Sequence, residues 1–514
     1  MFYNTFKTNA MTTIKLRHLF LGLFAAAAIA AQADGHLVIL HTNDTHSQID
    51  PTDPGDAGGI VRRKVLVDSI RNVRPNVMLI DAGDAVQGTL FFNLYGGTVE
   101  NKLMDAMGYD LRILGNHEFD NGVNALADKI KDSRSTWLTT NYDVSESPLA
   151  GRFEPYVIRK IDGRKIGFIA INLQPKGMIS DGNYDGVEYL DAYKAANATA
   201  WHLRHNEGCN MVIALTHIGY APNSTGLSDT DLARRSEDID IIIGGHSHTV
   251  ITPGDPKTPC FVDNAVGKPV LVVQSGKSGR FLGEIDIDLG NLKAEYRLIP
   301  VDSRLDSHAD PQFAELVAPY RAGVDSLMNV SVARSAVPLP ADGNALLNFV
   351  ADYIKTRGNA LSEGVDLAII NRGGIRRDLP KGNITEGMVI MAMPFNNRID
   401  VIDIKGSDLL DNFDVMARFG GNGVSDGVDI VFDPENGKCV SVKIDGKPVD
   451  PDKTYRLATI DYLANGGDYM EPLTRAKKIA ESKSVLYADF LNFLRTNYSK
   501  KKINPSDAPR MRPL

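Results

Sequence analysis

Five short apolar runs in the first half of the chain each end in a cluster of aspartate, asparagine and histidine. This repeated ending constrains the fold more than any other feature. Val38-Ile39-Leu40 runs into His41-Thr42-Asn43-Asp44-Thr45-His46, and Met78-Leu79-Ile80 into Asp81-Ala82-Gly83-Asp84. Ile113-Leu114 runs into Gly115-Asn116-His117-Glu118-Phe119-Asp120, Ile213-Ala214-Leu215 into Thr216-His217, and Ile241-Ile242-Ile243 into Gly244-Gly245-His246-Ser247-His248. Apolar runs of this length suit strands buried on both faces, as in a parallel sheet. In an open α/β sheet the carboxyl ends of the strands line a common crevice. The five clusters therefore converge, although they lie between positions 41 and 248 of the chain.

The rest of the chain fits around that crevice. Strands are expected at residues 37–41, 77–81, 111–114, 165–172, 211–216, 239–243 and 269–274, with helices at 59–73 and 193–206. From 281 to 301 the pattern alternates, which suits antiparallel edge strands. Residues 302–329 are polar, with a helical stripe at Phe313, Leu316, Val317 and Tyr320, and read as an interdomain linker carrying a helix. Beyond it a helix is expected at 345–356, a strand at 365–370, further apolar strand-like runs at 388–393 and 398–404, a helix at 407–418 and an antiparallel stretch from 428 to 460. Hairpin turns are expected at 434–437 and 445–446, and the lysines at 500–502 read as a solvated helix end. The domain division expected is a leader over 1–33, a first domain over 34–303, a linker with a helix over 304–329 and a second domain over 330–514.

The leader is read from Lys15 and Arg17, the apolar or small run from Leu19 to Ala31, and Ala31-Gln32-Ala33, where small residues occupy the positions a signal peptidase recognises. Cleavage before Asp34 and an exported product, periplasmic or at the cell surface or secreted, are the expectation. A retained anchor is the alternative, but the run is short against the roughly 20 residues a spanning helix needs. Met11 is an alternative start. With the leader go Lys7, Lys15 and Arg17, so the net charge moves from −8 to −11. An acidic chain without a basic stripe argues against polymeric nucleic acid as a partner. Cys209, Cys260 and Cys439 are three, widely spaced and without a CxxC pair, and read as structural.

Asp, Asn and His offer oxygen and imidazole nitrogen. That mixture suits Mn, Zn, Fe or Co rather than Ca, and it lacks the thiolates of a structural zinc site. The candidates are Asp44, His46, Asp84, Asn116, His217, His246 and His248. Seven ligands exceed the needs of one ion and suit two sharing a carboxylate, an arrangement that clamps a phosphoryl group and activates a water near neutral pH. His117 is better suited to stabilise charge or protonate a leaving group than to ligate, because Asn116 beside it already points inward. Asp120, three residues on, would hold the imidazole in one tautomer. Its alternative role is a helix N-cap. Half of the ten histidines after the leader lie in these loops, while His36, His41, His202, His205 and His308 read as structural or surface residues.

Together these motifs resemble the calcineurin-like metallophosphoesterases, and specifically the exported 5′-nucleotidase and UDP-sugar hydrolase family. The resemblance runs from about residue 37 to 475 and implies a four-layer α/β/β/α sandwich followed by an α+β substrate-binding domain. It implies that Asp44, His46, Asp84 and His248 hold one divalent transition-metal ion and that Asp84, Asn116, His217 and His246 hold the other, Asp84 bridging. It also assigns the pair His117 and Asp120. In the second domain, Asn371-Arg372-Gly373-Gly374-Ile375-Arg376, Pro394-Phe395-Asn396-Asn397 and Tyr462-Leu463-Ala464-Asn465-Gly466-Gly467-Asp468 are similar to family motifs. By that similarity Asn371, Arg376, Phe395, Tyr462 and Asp468 bind the nucleoside, with the two rings sandwiching the base. Arg372, Asn396 and Tyr469 depart from the glycines the family usually has, and the arginine that relatives place before the first helix of this domain has no counterpart in register.

The implied activity is hydrolysis of nucleoside 5′-monophosphates to nucleoside and phosphate, the attacking hydroxide being supplied by the two metals. UDP-sugars and nucleoside di- and triphosphates are further candidate substrates. A 2′,3′-cyclic-nucleotide 2′-phosphodiesterase with 3′-nucleotidase activity shares both domains and remains open, as does a non-catalytic surface protein that captures nucleoside or mediates adhesion. A degraded ligand set would favour the last, and every ligand is in place.

Overall fold

The computed structural model describes residues 35–52, 55–222 and 226–514. The leader expected over 1–33 lies outside the described residues. Two six-stranded sheets face one another in the first half. The first runs Lys293–Pro300, Phe281–Asp288, His36–Thr42, Val77–Asp81, Leu111–Ile113, Thr136–Leu138. Its last four strands are parallel and its first two pair antiparallel, with Leu37 opposite Ile287 and Phe281 opposite Pro300. The second runs Phe261–Asp263, Pro269–Val273, Ile241–Ile243, Met211–His217, Arg164–Asn172, Tyr156–Ile161, with its four inner strands parallel.

The period-two side-chain alternation explains the layering. Leu37 and Ile39 of the first strand enter the core shared with Phe168, Ile213 and Ile242 of the other sheet. Val38 and Leu40 point the other way, into a second core with Ile60, Leu103 and Phe313 from helices. Helix Ala192–His205 covers the far face of the second sheet through Ala196, Ala200 and Leu203. The result is a helix, sheet, sheet, helix stack. All parallel strands of both sheets deliver their carboxyl ends to one edge, and every chemical cluster lies there.

The stretch expected as a linker holds a 3-10 turn, Ser303–His308, and a helix, Pro311–Met328, capped by Asp310, whose side chain accepts from Gln312 N. Phe313 and Val317 of the expected stripe are buried. The second half is built on a five-stranded sheet in the order Gly423–Val424, Leu367–Ile370, Thr454–Ile460, Arg398–Lys405, Lys477–Val485. Helix Asn344–Leu361 packs Leu347, Val350 and Ile354 into its core.

Three expectations are corrected. Residues 388–393 are not a strand: Glu386–Ala392 is a helix, because the Thr385 hydroxyl accepts from Met388 N and caps its first turn. The stretch 428–460 is not one antiparallel unit. Val428–Asp433 and Lys438–Ile444 form the expected hairpin in a separate four-stranded sheet, whereas Thr454–Ile460 lies in the five-stranded sheet, parallel to Leu367–Ile370. Lastly, the lysines at 500–502 follow rather than end a helix, since Leu486–Asn497 stops short of them. All three cysteines are free.

Candidate metal centre and substrate cleft

At the shared edge the loops turn sharply enough to force unusual backbone. Asp44, His46, Asp84, His246 and His248 all have positive φ, between 47° and 76°. Five of the seven residues singled out as ligands thus occupy the left-handed region, which costs a non-glycine residue on the order of 1 kcal/mol each and collects at functional sites. The strain is held by lacing between loops. Asp44 N donates to Gly83 O at 2.9 Å, His46 N to Asp84 O at 3.0 Å, and His117 N to Asp84 Oδ1 at 2.9 Å. A Cβ on Gly115 would overlap Asp84 Oδ1, so only glycine lets these two loops approach.

The ligand atoms gather in three overlapping groups: Asp44, His46 and His248; Asp84, His217 and His246; and His46, Asp84 and His117. His46 Nε2 and His248 Nε2 lie 2.9 Å apart, and Asp44 Oδ1 is 3.8 Å from the first and 3.5 Å from the second. On the other side His217 Nε2 is 3.1 Å from Asp84 Oδ2 and 3.9 Å from Asp44 Oδ1. Asn116 Oδ1 sits 3.0 Å from His246 Nδ1. The His217 Nδ1–H donates to Ala82 O at 2.8 Å, which fixes the ring and turns Nε2 toward the two carboxylates.

The electrostatics fit two divalent cations. Burial pushes the His246 and His248 imidazoles down to about 3 and His46 well below its ordinary value, so all three are neutral, as ligation requires. Burial pushes Asp44 up to about 7. Burial opposes charge on His217 too, but the facing Asp84 outweighs it and raises the imidazole to about 10. Two buried carboxylates and the space between their imidazoles therefore demand positive charge. Two neutral imidazole nitrogens in contact at 2.9 Å, beside a carboxylate oxygen, are a donor set for a cation rather than a packed core.

Asp120 is not the N-cap of the helix that follows it. Gly122 precedes helix Val123–Ile130, and Asp120 Oδ2 is 2.9 Å from His117 Nδ1. Burial lowers His117, but Asp120 first and then Asp84 overcome it and hold the imidazole above its ordinary value. His117 also meets the second half: Arg376 Nη2 is 3.3 Å from its Nε2, and the Phe395 ring stacks on it at 6.1 Å. The Arg376 guanidinium lies 5.2 Å from the Phe395 ring centre.

A cavity of about 260 Å³ separates the halves. It is lined by Asp84, Asn116, His117, Asp120, His246 and His248 from the first and by Asn371, Arg376, Phe395, Tyr462 and Asp468 from the second. Asp44, His46 and His217 do not line it. Asn371 Nδ2 donates to Asp468 Oδ2 at 2.5 Å, and Tyr462 Oη donates to Asp468 Oδ1 at 2.9 Å, so two of the second-half motifs, at 371–376 and 462–468, meet in one network. Phe395 and Tyr462 both face the cavity without stacking on each other.

Other residues of the site escaped sequence reasoning. Glu118 accepts from Asp84 N, Ala85 N and Gly115 N at 3.0, 2.9 and 2.6 Å, and so pins the Asp84 loop to the Asn116 loop. It stands within the quoted Gly-Asn-His-Glu motif, and that neighbourhood was the available signal. Asn43 donates to Asp44 Oδ2 at 2.6 Å. Met178, Ile179 and Ser180 wall the cavity from a loop that no pattern marked. Of the departures, Arg372 turns away from the cavity and clamps Gly421 O at 3.0 Å and Asp342 O at 2.9 Å.

Comparison with known proteins agrees with both halves. Residues 37–250 match the family described as calcineurin-like phosphoesterase, and residues 329–475 match the 5′-nucleotidase C-terminal domain. The chain is 31% identical to an apyrase of Tabanus yao over 493 residues, covering 86% of this chain and 88% of that protein. It is 28% identical to a trifunctional nucleotide phosphoesterase of Bacillus subtilis, covering 93% of this chain but 35% of that protein's length. The solved 5′-nucleotidase precursor from Thermus thermophilus superposes with a TM-score of 0.82 at 29% identity, over 93% of this chain and 99% of that one.

Proposed function

The chain belongs to the calcineurin-like phosphoesterases that carry a 5′-nucleotidase C-terminal domain, and from that premise we propose that it hydrolyses nucleoside 5′-monophosphates to nucleoside and phosphate. It is a phosphoesterase, and its family uses divalent metals. The observation that carries the finer reading is the meeting of Arg376 and Phe395, from the second half, with His117 at the edge of the metal-ligand cluster. A phosphate at that cluster has a cation and an aromatic ring beside it, which suits a phosphate joined to a flat base.

In this reading Asp44, His46, Asp84 and His248 would hold one ion, and Asp84, Asn116, His217 and His246 the other. Bound there, the ions would supply Lewis acidity and a nucleophile near neutral pH. Asn116 donates its amide to a phosphoryl oxygen. The protonated ring of His117 faces the leaving oxygen and hands it the Nε2 proton. Asp120 keeps Nδ1 protonated and the ring oriented. Arg376 and Asn371 orient the phosphate and sugar, Phe395 and Tyr462 offer faces to the base, and Asp468 fixes Tyr462 and Asn371. The division into 34–303, 304–329 and 330–514, and export after removal of residues 1–33, belong to the same proposal. Nucleoside di- and triphosphates and UDP-sugars are substrates to test with it.

A substrate panel at fixed metal decides the matter. Protein loaded with Mn, Co or Zn should turn over AMP faster than 3′-AMP or 2′,3′-cyclic AMP, read as phosphate release for the two monophosphates and as ring opening to a monophosphate for the cyclic one. The reverse order assigns the cyclic phosphodiesterase reading, and no release from any nucleotide removes the enzymatic role proposed.

A further inference from the structure

Beside the cleft stands a group of cations that the reaction above does not use. Lys277 follows Gly276 and precedes Ser278 in a loop whose Gly276, Ser278 and Gly279 all have positive φ. That loop is tied to the metal-ligand loops: Ser278 N donates to Asp44 O at 2.8 Å, Gly276 N to Thr249 O at 3.0 Å, and Asn43 Nδ2 to Gly276 O at 2.8 Å. Lys277 is thereby fixed beside Asp44 and next to the His248 turn, yet its side chain is exposed. Arg280, exposed too, reaches Gly55, and Arg377 of the second half donates from Nη2 to Gln48 Oε1 at 3.1 Å, two residues beyond His46.

No ion pair links any of Lys277, Arg280, Arg376 or Arg377 to a carboxylate among the described residues. Desolvation, and then Arg376 and Arg377, push the Lys277 ammonium below the ordinary lysine range, with Asp44 opposing. Desolvation also lowers Arg377, against Asp378 and with Arg280. Cations crowded together with little compensating charge gain from an anion between them. Of the three left-handed residues around Lys277 only Ser278 is not a glycine, and strain of that kind collects at functional sites.

We propose that Lys277, Arg280 and Arg377 form a second phosphate-binding subsite on the His248 flank of the metal centre, assembled from both halves of the molecule and distinct from the nucleoside cavity. Its ligand is a phosphate group. Two sources share that chemistry: inorganic phosphate released by the reaction, or an additional phosphate of a nucleoside di- or triphosphate. The inference rests on the phosphoesterase reading for its source of phosphate, and on the cation geometry for the site itself.

The test is isothermal titration of the manganese-loaded protein with inorganic phosphate, for the natural chain and for Lys277→Gln, Arg280→Gln and the double variant, with kcat/KM for AMP, ADP and ATP in parallel. The double variant should bind phosphate at least about tenfold more weakly, the scale of losing charge-assisted contacts, while turning over AMP within about threefold. Product inhibition weakened without a change for ADP or ATP assigns the subsite to free phosphate. A selective fall for ADP and ATP assigns it to a substrate phosphate. Unchanged phosphate affinity in the double variant, with thermal unfolding also unchanged, overturns the proposal. If the natural chain hydrolyses no nucleotide, the functional reading fails and the titration still decides the subsite.

Discussion

At the scale of single residues, one carboxylate carries more than any other. Asp84 faces His217 at 3.1 Å, accepts from His117 N at 2.9 Å and enters two of the three ligand groups. Asp84→Asn should therefore lower activity by well over tenfold, where tenfold is roughly 1.4 kcal/mol of barrier. Metal titration should show both ions weakened. Activity retained within tenfold would falsify the shared-ligand assignment. Asp120 acts on a different quantity. It is the first of the groups that raise His117 against burial, so the protonated ring persists to higher pH than an ordinary histidine. Chemistry that needs that proton is present below the raised value and lost as pH rises through it. Asp120→Asn should move the alkaline limb of the kcat profile to lower pH, and an unmoved limb would show that His117 does not deliver the proton. These residues were legible in the sequence because their types are chemically scarce and their spacing fixes them at strand ends. Glu118 was not, because a carboxylate that binds only backbone amides resembles any surface glutamate until the two loops it joins are seen together.

Secondary-structure elements explain why the site is so readable. A strand that ends in a buried parallel sheet must turn within one or two residues, and the turning residues are the ones placed in the crevice. Runs such as Val77–Asp81 therefore announced both element and site. The sequence misled where an apolar run fits either period: the helix Glu386–Ala392 was set by the Thr385 cap and not by its hydrophobicity. It also misled where pairing is non-local, since Thr454–Ile460 follows a hairpin in sequence yet joins another sheet. The turn itself is testable at Gly115. A Cβ there would overlap the Asp84 carboxylate, so Gly115→Ala must push two ligand-bearing loops apart. Overpacking of this kind costs about 1–3 kcal/mol. Calorimetry should find metal affinity reduced by more than tenfold, with global unfolding lowered by only a few degrees. Equal metal affinity would mean that the loops tolerate separation.

On the scale of the whole molecule, the first half holds the candidate ligand cluster and the second half completes the cleft above it, where the proposed function puts the nucleotide. The halves touch through polar pairs, such as Asn93 to Pro394 O at 2.6 Å and Asn396 to Asn121 at 3.1 Å, and through Leu90, which packs with the core of the second half. The cleft between them is where Phe395 stacks on His117 and lies under Arg376. If the second half selects substrate through the base, then removing the ring should hurt only substrates that have one. Stacking a base on an aromatic side chain is worth about 1–3 kcal/mol, so Phe395→Ala should lower kcat/KM for AMP by roughly tenfold or more. Ribose 5-phosphate offers the same phosphate and sugar without a base, and its turnover should change by less than about threefold. An equal loss on both substrates would place Phe395 with His117 in the chemistry, as a support for the imidazole, and would move base recognition to Tyr462 and the loop Met178 to Ser180, which also line the cavity.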